Sequence, residues 1–332
     1  MRARVWGCRG SLAAPGGETL RYGGNTACVE VRLEDGTLII LDAGTGIRPL
    51  GVQLESHPPP TVHLLLSHLH LDHLQGLAFF PPLWDRDGEF HIWGPSSPSG
   101  LRAGIERYFS PPLFPVRLRD LPARIHFRQA PRQPWHVGAA RIVAEPVTHQ
   151  GPTLGYRIEE EGSSLAYLPD HEPARGRDLL TAPPHSISGY RVAQGADILL
   201  HDAQYTDHEY AKRDGWGHST VAHATLFARI AQANRLVLFH HDPLHSDRQL
   251  EALLARSREL WGASETPPDL AHEGMVFDLS SRRPRSSHRI WSEERTGAHH
   301  ERGHETAVRR RRRGLLATRR GSSPGTAPQN AR

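Results

Sequence analysis

The stretch Ser67-His68-Leu69-His70-Leu71-Asp72-His73 follows directly on an apolar run, Val62, Leu64, Leu65 and Leu66. The run has the composition of a strand, and the segment after it crowds three imidazoles and a carboxylate into one turn. A tight loop at a strand end can aim alternate side chains, His68 and His70, at one cation, and the next pair, Asp72 and His73, at a second. Neutral imidazole and carboxylate suit zinc or manganese. The absence of cysteine from the cluster argues against a closed structural zinc site and leaves coordination positions open for water.

Three later apolar runs also end in a potential ligand. Residues 143–147 lead to His149, 165–168 to Asp170, and 236–239 to His240. Each is weak alone, because a buried histidine is satisfied by a hydrogen bond more often than by a metal. Their shared placement at strand ends would bring them to one sheet edge. His241 follows His240, and a shift of one residue along the strand would exchange the two.

Further β-rich runs alternate with Gly/Pro and polar segments at residues 3–6, 27–33, 37–41, 61–67, 89–93, 125–129, 140–147, 155–159, 164–168, 198–201 and 235–239. Helical patterns cover residues 219–232, opened by a Ser/Thr cap, and 247–261, opened by Asp247 as cap. So many strands with few helices imply two packed sheets covered outside by helices, an α/β layered domain.

His68, His70, Asp72, His73, His149, Asp170 and His240 resemble, in order and context, the metal motifs of the metallo-β-lactamase superfamily. The resemblance covers nearly all of residues 1–279, and it implies a four-layer αββα sandwich carrying two divalent ions, zinc foremost, with manganese or iron as substitutes. It implies Asp170 as the bridging ligand, Asp72 as both ligand and catalytic residue, and His240 rather than His241 as the last ligand. Asp42, in Leu41-Asp42-Ala43-Gly44-Thr45-Gly46, resembles the buried aspartate that supports the metal loop from behind. Gly217-His218-Ser219-Thr220 is similar to the branch that holds ribonuclease Z and related phosphodiesterases. There the histidine matching His218 transfers a proton and is oriented by an acid resembling Asp202. The implied reaction is hydrolysis by a water whose pKa the two ions lower.

A small phosphodiester such as a cyclic nucleotide is the expected substrate, since no long basic, Gly/Pro-rich arm of the kind that grips transfer RNA stands out within residues 1–280. The alternatives are a tRNA 3′-processing endonuclease, a thioester hydrolase resembling glyoxalase II, and a non-enzymatic metal-bearing scaffold with a nucleic-acid-binding tail. Trp216, just before His218, is the aromatic expected to stack on a base.

The formal net charge of +4 over 332 residues hides an asymmetry. Residues 281–332 hold 14 Arg against 4 Glu, a net of +10 that leaves −6 for the remainder. Charge therefore points to nucleic acid only through the tail, which reads as a basic, disordered segment after a hydrolase domain at 1–280. Cys8 and Cys28 are too few for a disulfide framework, and their expected role is packing, with a bridge between neighbouring strands as the alternative. Met1 to Gly10 lacks the apolar stretch of a secretory signal, and no run is long enough to span a bilayer. A cytoplasmic protein with no membrane partner is expected. A homodimer is compatible with the sequence, which does not fix the oligomeric state.

Overall fold

The computed structural model describes residues 1–279 apart from Ser97 and Glu265, so the expectation for the basic tail at 281–332 lies outside the described residues. The first half of the chain supplies β1 (Arg2–Gly7), β2 (Cys28–Arg32), β3 (Leu38–Leu41), β4 (Thr61–Leu65), β5 (Glu89–Gly94) and β6 (Arg124–Gln129). The second supplies β7 (Trp135–Val137), β8 (Ala140–Pro146), β9 (Leu154–Glu160), β10 (Ser163–Leu168), β11 (Ile198–Asp202), β12 (Leu236–Phe239) and β13 (Asp269–Leu270). The chain then returns to the first sheet as β14 (Val276–Asp278). The two seven-stranded sheets run β14-β1-β2-β3-β4-β5-β6 and β13-β12-β11-β10-β9-β8-β7. In each, an antiparallel half joins a parallel half, at β3 in the first and at β10 in the second.

Parallel neighbours require crossovers, and helices provide them. These are α1 (Ile47–Leu54), α2 (Leu101–Tyr108), α3 (Tyr190–Ala193), α4 (Asp207–Tyr210), α5 (Val221–Ile230) and α6 (Asp247–Trp261). Alternation within the strands sorts the apolar side chains into three cores. Ile39, Leu41, Leu65, Leu165, Tyr167, Val237 and Phe239 fill the space between the sheets. Leu38, Ile40 and Leu64 turn outward onto α1 and α2, and Ala166, Leu168, Leu236 and Leu238 turn outward onto α3, α5 and α6. Three apolar layers between four layers of backbone make the αββα sandwich. Because both faces are covered, β3, β12 and residues 165–168 of β10 read as unbroken apolar runs rather than alternating ones. Each fully buried Leu contributes about 1.5–3 kcal/mol of burial.

Every strand expected from the sequence forms, with ends within two residues of expectation. β7, β13 and β14 are two or three residues long, too short for a periodic signal. The expected cap of α6 is corrected. Ser246, not Asp247, is the N-cap: its hydroxyl accepts from the Gln249 N–H, and the Gln249 side chain reaches back to the Ser246 N–H. Asp247 stands in the first turn and accepts from the backbone N–H groups of Arg21 and Tyr22. Cys8 and Cys28 are buried free thiols, facing different cores. Among the described residues no helix is long and apolar enough to cross a membrane.

Candidate metal centre

Strand ends build one site between the two sheets, in the crevice that parallel strands leave at their carboxyl ends. From the first sheet, β4 runs out to His68 and His70, and the single 3-10 turn Leu71–His73 presents Asp72 and His73. From the second, β8 leads to His149, β10 to Asp170, β11 to Asp202 and β12 to His240. Two four-residue donor sets result, each with its ligand atoms within 4.8 Å of one another: His68, His70, His149 and Asp170, and Asp72, His73, Asp170 and His240; Asp202, His218 and His240 form a third, three-residue group beside them.

Asp170 belongs to both sets. Its Oδ2 lies 3.7 Å from His68 Nε2 and 3.6 Å from His149 Nε2. Its Oδ1 lies 3.0 Å from His73 Nε2 and 3.3 Å from His240 Nε2. Asp72 Oδ2 completes the second set at 3.2 Å from both of those nitrogens. A tetrahedral zinc with bonds near 2.0–2.1 Å separates its ligands by about 3.3 Å, so these spacings have cation dimensions. Among the described residues, His68 Nε2 is buried with no hydrogen-bond partner, which a protein interior rarely leaves unanswered. The donor set fits divalent cations.

Hydrogen bonds on the opposite ring nitrogens orient the imidazoles. His73 Nδ1 donates to Asp42 Oδ2 at 2.8 Å, His149 Nδ1 to the Gly217 carbonyl at 2.8 Å, and His240 Nδ1 to Gln204 Oε1 at 3.2 Å. In the neutral ring each of these bonds places the proton on Nδ1 and turns the Nε2 lone pair toward the crevice. Asp42 also accepts from the Ser67 N–H, the Ser67 hydroxyl and the Tyr167 hydroxyl, which ties the metal loop to the second sheet. Asp42 (φ 58°) and His240 (φ 59°) both hold left-handed backbone, a conformation costing of order 1–3 kcal/mol for such residues and concentrated at functional sites.

Charges in the site are strongly coupled. Burial alone would raise the Asp170 pKa, but the His240, His73 and His68 imidazoles outweigh burial and hold it well below the carboxylate range. Burial likewise opposes charge on His73, yet Asp170, Asp72 and Asp42 overcome it and push its pKa well above the usual value. Burial, seconded by His73, drives His68 down.

His218 Nδ1 donates to Asp202 Oδ2 at 2.7 Å, and the ring stacks on His240 with centroids 5.0 Å apart. Burial disfavours its cation, but Asp202 reverses that effect and lifts its pKa to about 9. Asp202 is itself fully buried and also accepts from the backbone N–H groups of His171, Gln204 and Ser219. Thr220 rather than His218 caps α5, accepting from the His223 N–H.

The structure thus gathers all seven expected ligands, with Asp42, Asp202 and His218 behind or beside them. His241 turns away: its Nε2 donates to the Ala271 carbonyl, and burial lowers its pKa to about 3. His171, next to Asp170, also faces the interior, against His201 and Phe227. Sequence reasoning missed Gln204, Ser11 and Glu172. The Ser11 N–H donates to Asp72 Oδ2 at 2.7 Å. Fully buried Glu172 accepts from the N–H groups of Gly215 and Gly217 and from the Tyr210 hydroxyl, clamping the loop that carries Trp216 and His218. Its place two residues after Asp170 was the available signal. Trp216 lies on this loop and is 59% exposed.

Residues 37–241 match the family model of the beta-lactamase superfamily domain. Ribonuclease Z of Porphyromonas gingivalis is 28% identical over 287 residues, covering 73% of this chain and 90% of that protein. Human tRNase Z, short form, superposes with a TM-score of 0.57 at 21% identity, over 84% of this chain and 99% of that one. A diphosphatase of the PhnP family superposes at 0.59 and 18% identity, over 83% and 97%. With the fold, the metal-ligand spacing and the family match in agreement, the chain belongs to the metallo-β-lactamase superfamily and is a metal-dependent hydrolase.

Proposed function

We propose that this hydrolase is a binuclear phosphodiesterase acting on a small phosphodiester such as a cyclic nucleotide. The observation that carries the reading is Asp170, with one carboxylate oxygen turned to each donor set, beside the His218–Asp202 pair. His68, His70 and His149 would hold one ion, Asp72, His73 and His240 the other, and Asp170 would bridge them. Such a pair, zinc foremost, supplies Lewis acidity and a water of lowered pKa. The chain's own residues do the rest. With Nδ1 committed to Asp202, His218 keeps Nε2 for the departing oxygen, and its raised pKa holds the proton that this oxygen needs. Asp202, anchored by three backbone N–H groups, fixes the imidazole and stabilises its cation. Exposed Trp216 offers a face on which a base stacks.

The ribonuclease Z relative and the diphosphatase neighbour, both named for hydrolysis at phosphorus, support phosphoryl chemistry over a thioester. The ribonuclease Z likeness also keeps tRNA 3′ processing as the second reading. A small substrate is preferred because the Gly/Pro-rich connection between β10 and β11 buries Leu179, Ile187 and Val192 against the second sheet rather than projecting as an arm. The test is a panel of bis(p-nitrophenyl) phosphate, cyclic nucleotides, a precursor tRNA with a 3′ trailer, and a glutathione thioester. Turnover of the first two is expected. Cleavage of the precursor tRNA alone would transfer the assignment to RNA processing, and turnover of the thioester alone would end the phosphodiesterase reading.

A further inference from the structure

Midway along the parallel strands of the first sheet, the register sets three histidines side by side: His63 on β4, His91 on β5 and His126 on β6. Their rings stack at 5.0 and 4.8 Å, with interplanar angles of 20° and 23°. Glu89, two residues before His91 on the same face of β5, closes the row. Its Oε1 lies 3.0 Å from His91 Nε2 and 3.7 Å from His126 Nε2. Glu89 pairs with Thr61, six positions before Ser67, and His91 with His63, four positions before it, which puts this cluster roughly 13–20 Å of strand away from the catalytic crevice.

We propose that Glu89 Oε1, His91 Nε2 and His126 Nε2 form a separate, solvent-open site for a late first-row divalent cation, zinc foremost, that pins edge strand β6 to β5. Two imidazoles and a carboxylate are the donor set of open zinc sites, with the fourth position left to water. The donor spacings of 3.0 and 3.7 Å bracket the roughly 3.3 Å edge of a zinc tetrahedron, as the distances in the catalytic crevice do. All three donors lie within 4.8 Å of one another. His63, half-buried behind His91, has its pKa lowered to about 4 by burial and by the His91 and Arg128 charges.

Two arginines shape the site. Arg124 reaches the other oxygen of Glu89 at 3.4 Å and leaves Oε1 toward the rings. Arg128 Nε donates to His91 Nδ1 at 3.2 Å, so the His91 proton sits on Nε2 and points at Glu89. Cation binding moves that proton to Nδ1 by exchange with solvent. Two N–H groups would then face each other, and exposed Arg128 must swing away. Arg128 is therefore a built-in competitor, and its removal should tighten the site. β6, exposed along most of its length, is an edge strand with no further neighbour in the sheet among the described residues, so a cation bridging it to β5 would resist fraying.

The experiment is equilibrium dialysis of the full chain against micromolar free zinc, comparing the wild type with His126→Ala, at an exposed position, and Glu89→Gln, at a partly exposed one. Each variant is expected to bind one zinc fewer per chain while phosphodiester turnover stays unchanged, and Arg128→Ala is expected to bind that zinc about tenfold more tightly. Tail histidines such as His299 and His300 are common to all four proteins and cancel in the difference. Equal zinc content in wild type, His126→Ala and Glu89→Gln overturns the proposal, whatever the catalytic centre does.

Discussion

Asp170 and His218 lie 3.9 Å apart, yet their substitutions should fail in different ways. Asp170→Ala removes a donor from both sets and should abolish turnover together with bound metal. His218→Ala should retain metal while turnover drops roughly 10²–10⁴-fold, the range of a lost general acid. Metal analysis beside steady-state kinetics separates the two, and loss of metal from His218→Ala would make it a ligand instead. His73 has a pH consequence. Before any cation binds, its raised pKa keeps it protonated at neutral pH, whereas a ligand must be neutral. Zinc uptake should therefore release about one proton at this position and tighten as pH rises. Calorimetry in buffers of differing ionisation enthalpy reads the proton count, and an affinity independent of pH from 6 to 8, on the order of the neutral range, would contradict it.

At the scale of elements, function depends on how loops after β8, β10 and β11 are tied to one another. Glu172, behind Asp170, clamps Gly215 and Gly217, and the Gly217 carbonyl in turn holds His149 Nδ1. Gly217 has φ 93°, and a side chain there would meet His149 Nδ1 at 2.3 Å, so only glycine fits. Glu172→Gln keeps the shape of the clamp but offers one acceptor oxygen where two are used. It should lower metal affinity or kcat roughly 10–100-fold, the usual cost of losing a partner that orients ligands. Chelator-driven metal release and kcat check this, and wild-type values for both would reduce Glu172 to ordinary packing.

For the whole molecule, the centre joins two sheets. His68, His70, Asp72 and His73 come from the first, and His149, Asp170 and His240 from the second. A cation held at about a thousand times its Kd adds about 4 kcal/mol to the stability of the folded state. Stripping metal with a chelator should thus lower Tm by roughly 10 °C in a domain of this size. Differential scanning calorimetry measures the shift. An unchanged Tm on complete metal removal would show that hydrogen bonds such as Tyr167 to Asp42 and Tyr156 to Leu66, rather than metal, hold the sheets together at this end.

The sequence by itself determined eleven of the fourteen described strands and the residue types at their ends. Apolar runs such as 165–168 and 236–239 are local signals, and the His/Asp cluster after β4 lies within seven residues. The tertiary structure decided which neighbour faces the crevice. His240 and His241 are alike in sequence, and only the left-handed backbone at His240 and the Ala271 carbonyl opposite His241 distinguish them. The same holds for Glu172 as a clamp and for the Glu89–His91–His126 row, whose members are set side by side by strand register. Pairings between distant segments depend on how the sheets pack, and packing energy is summed over the whole core rather than written in any one stretch of chain.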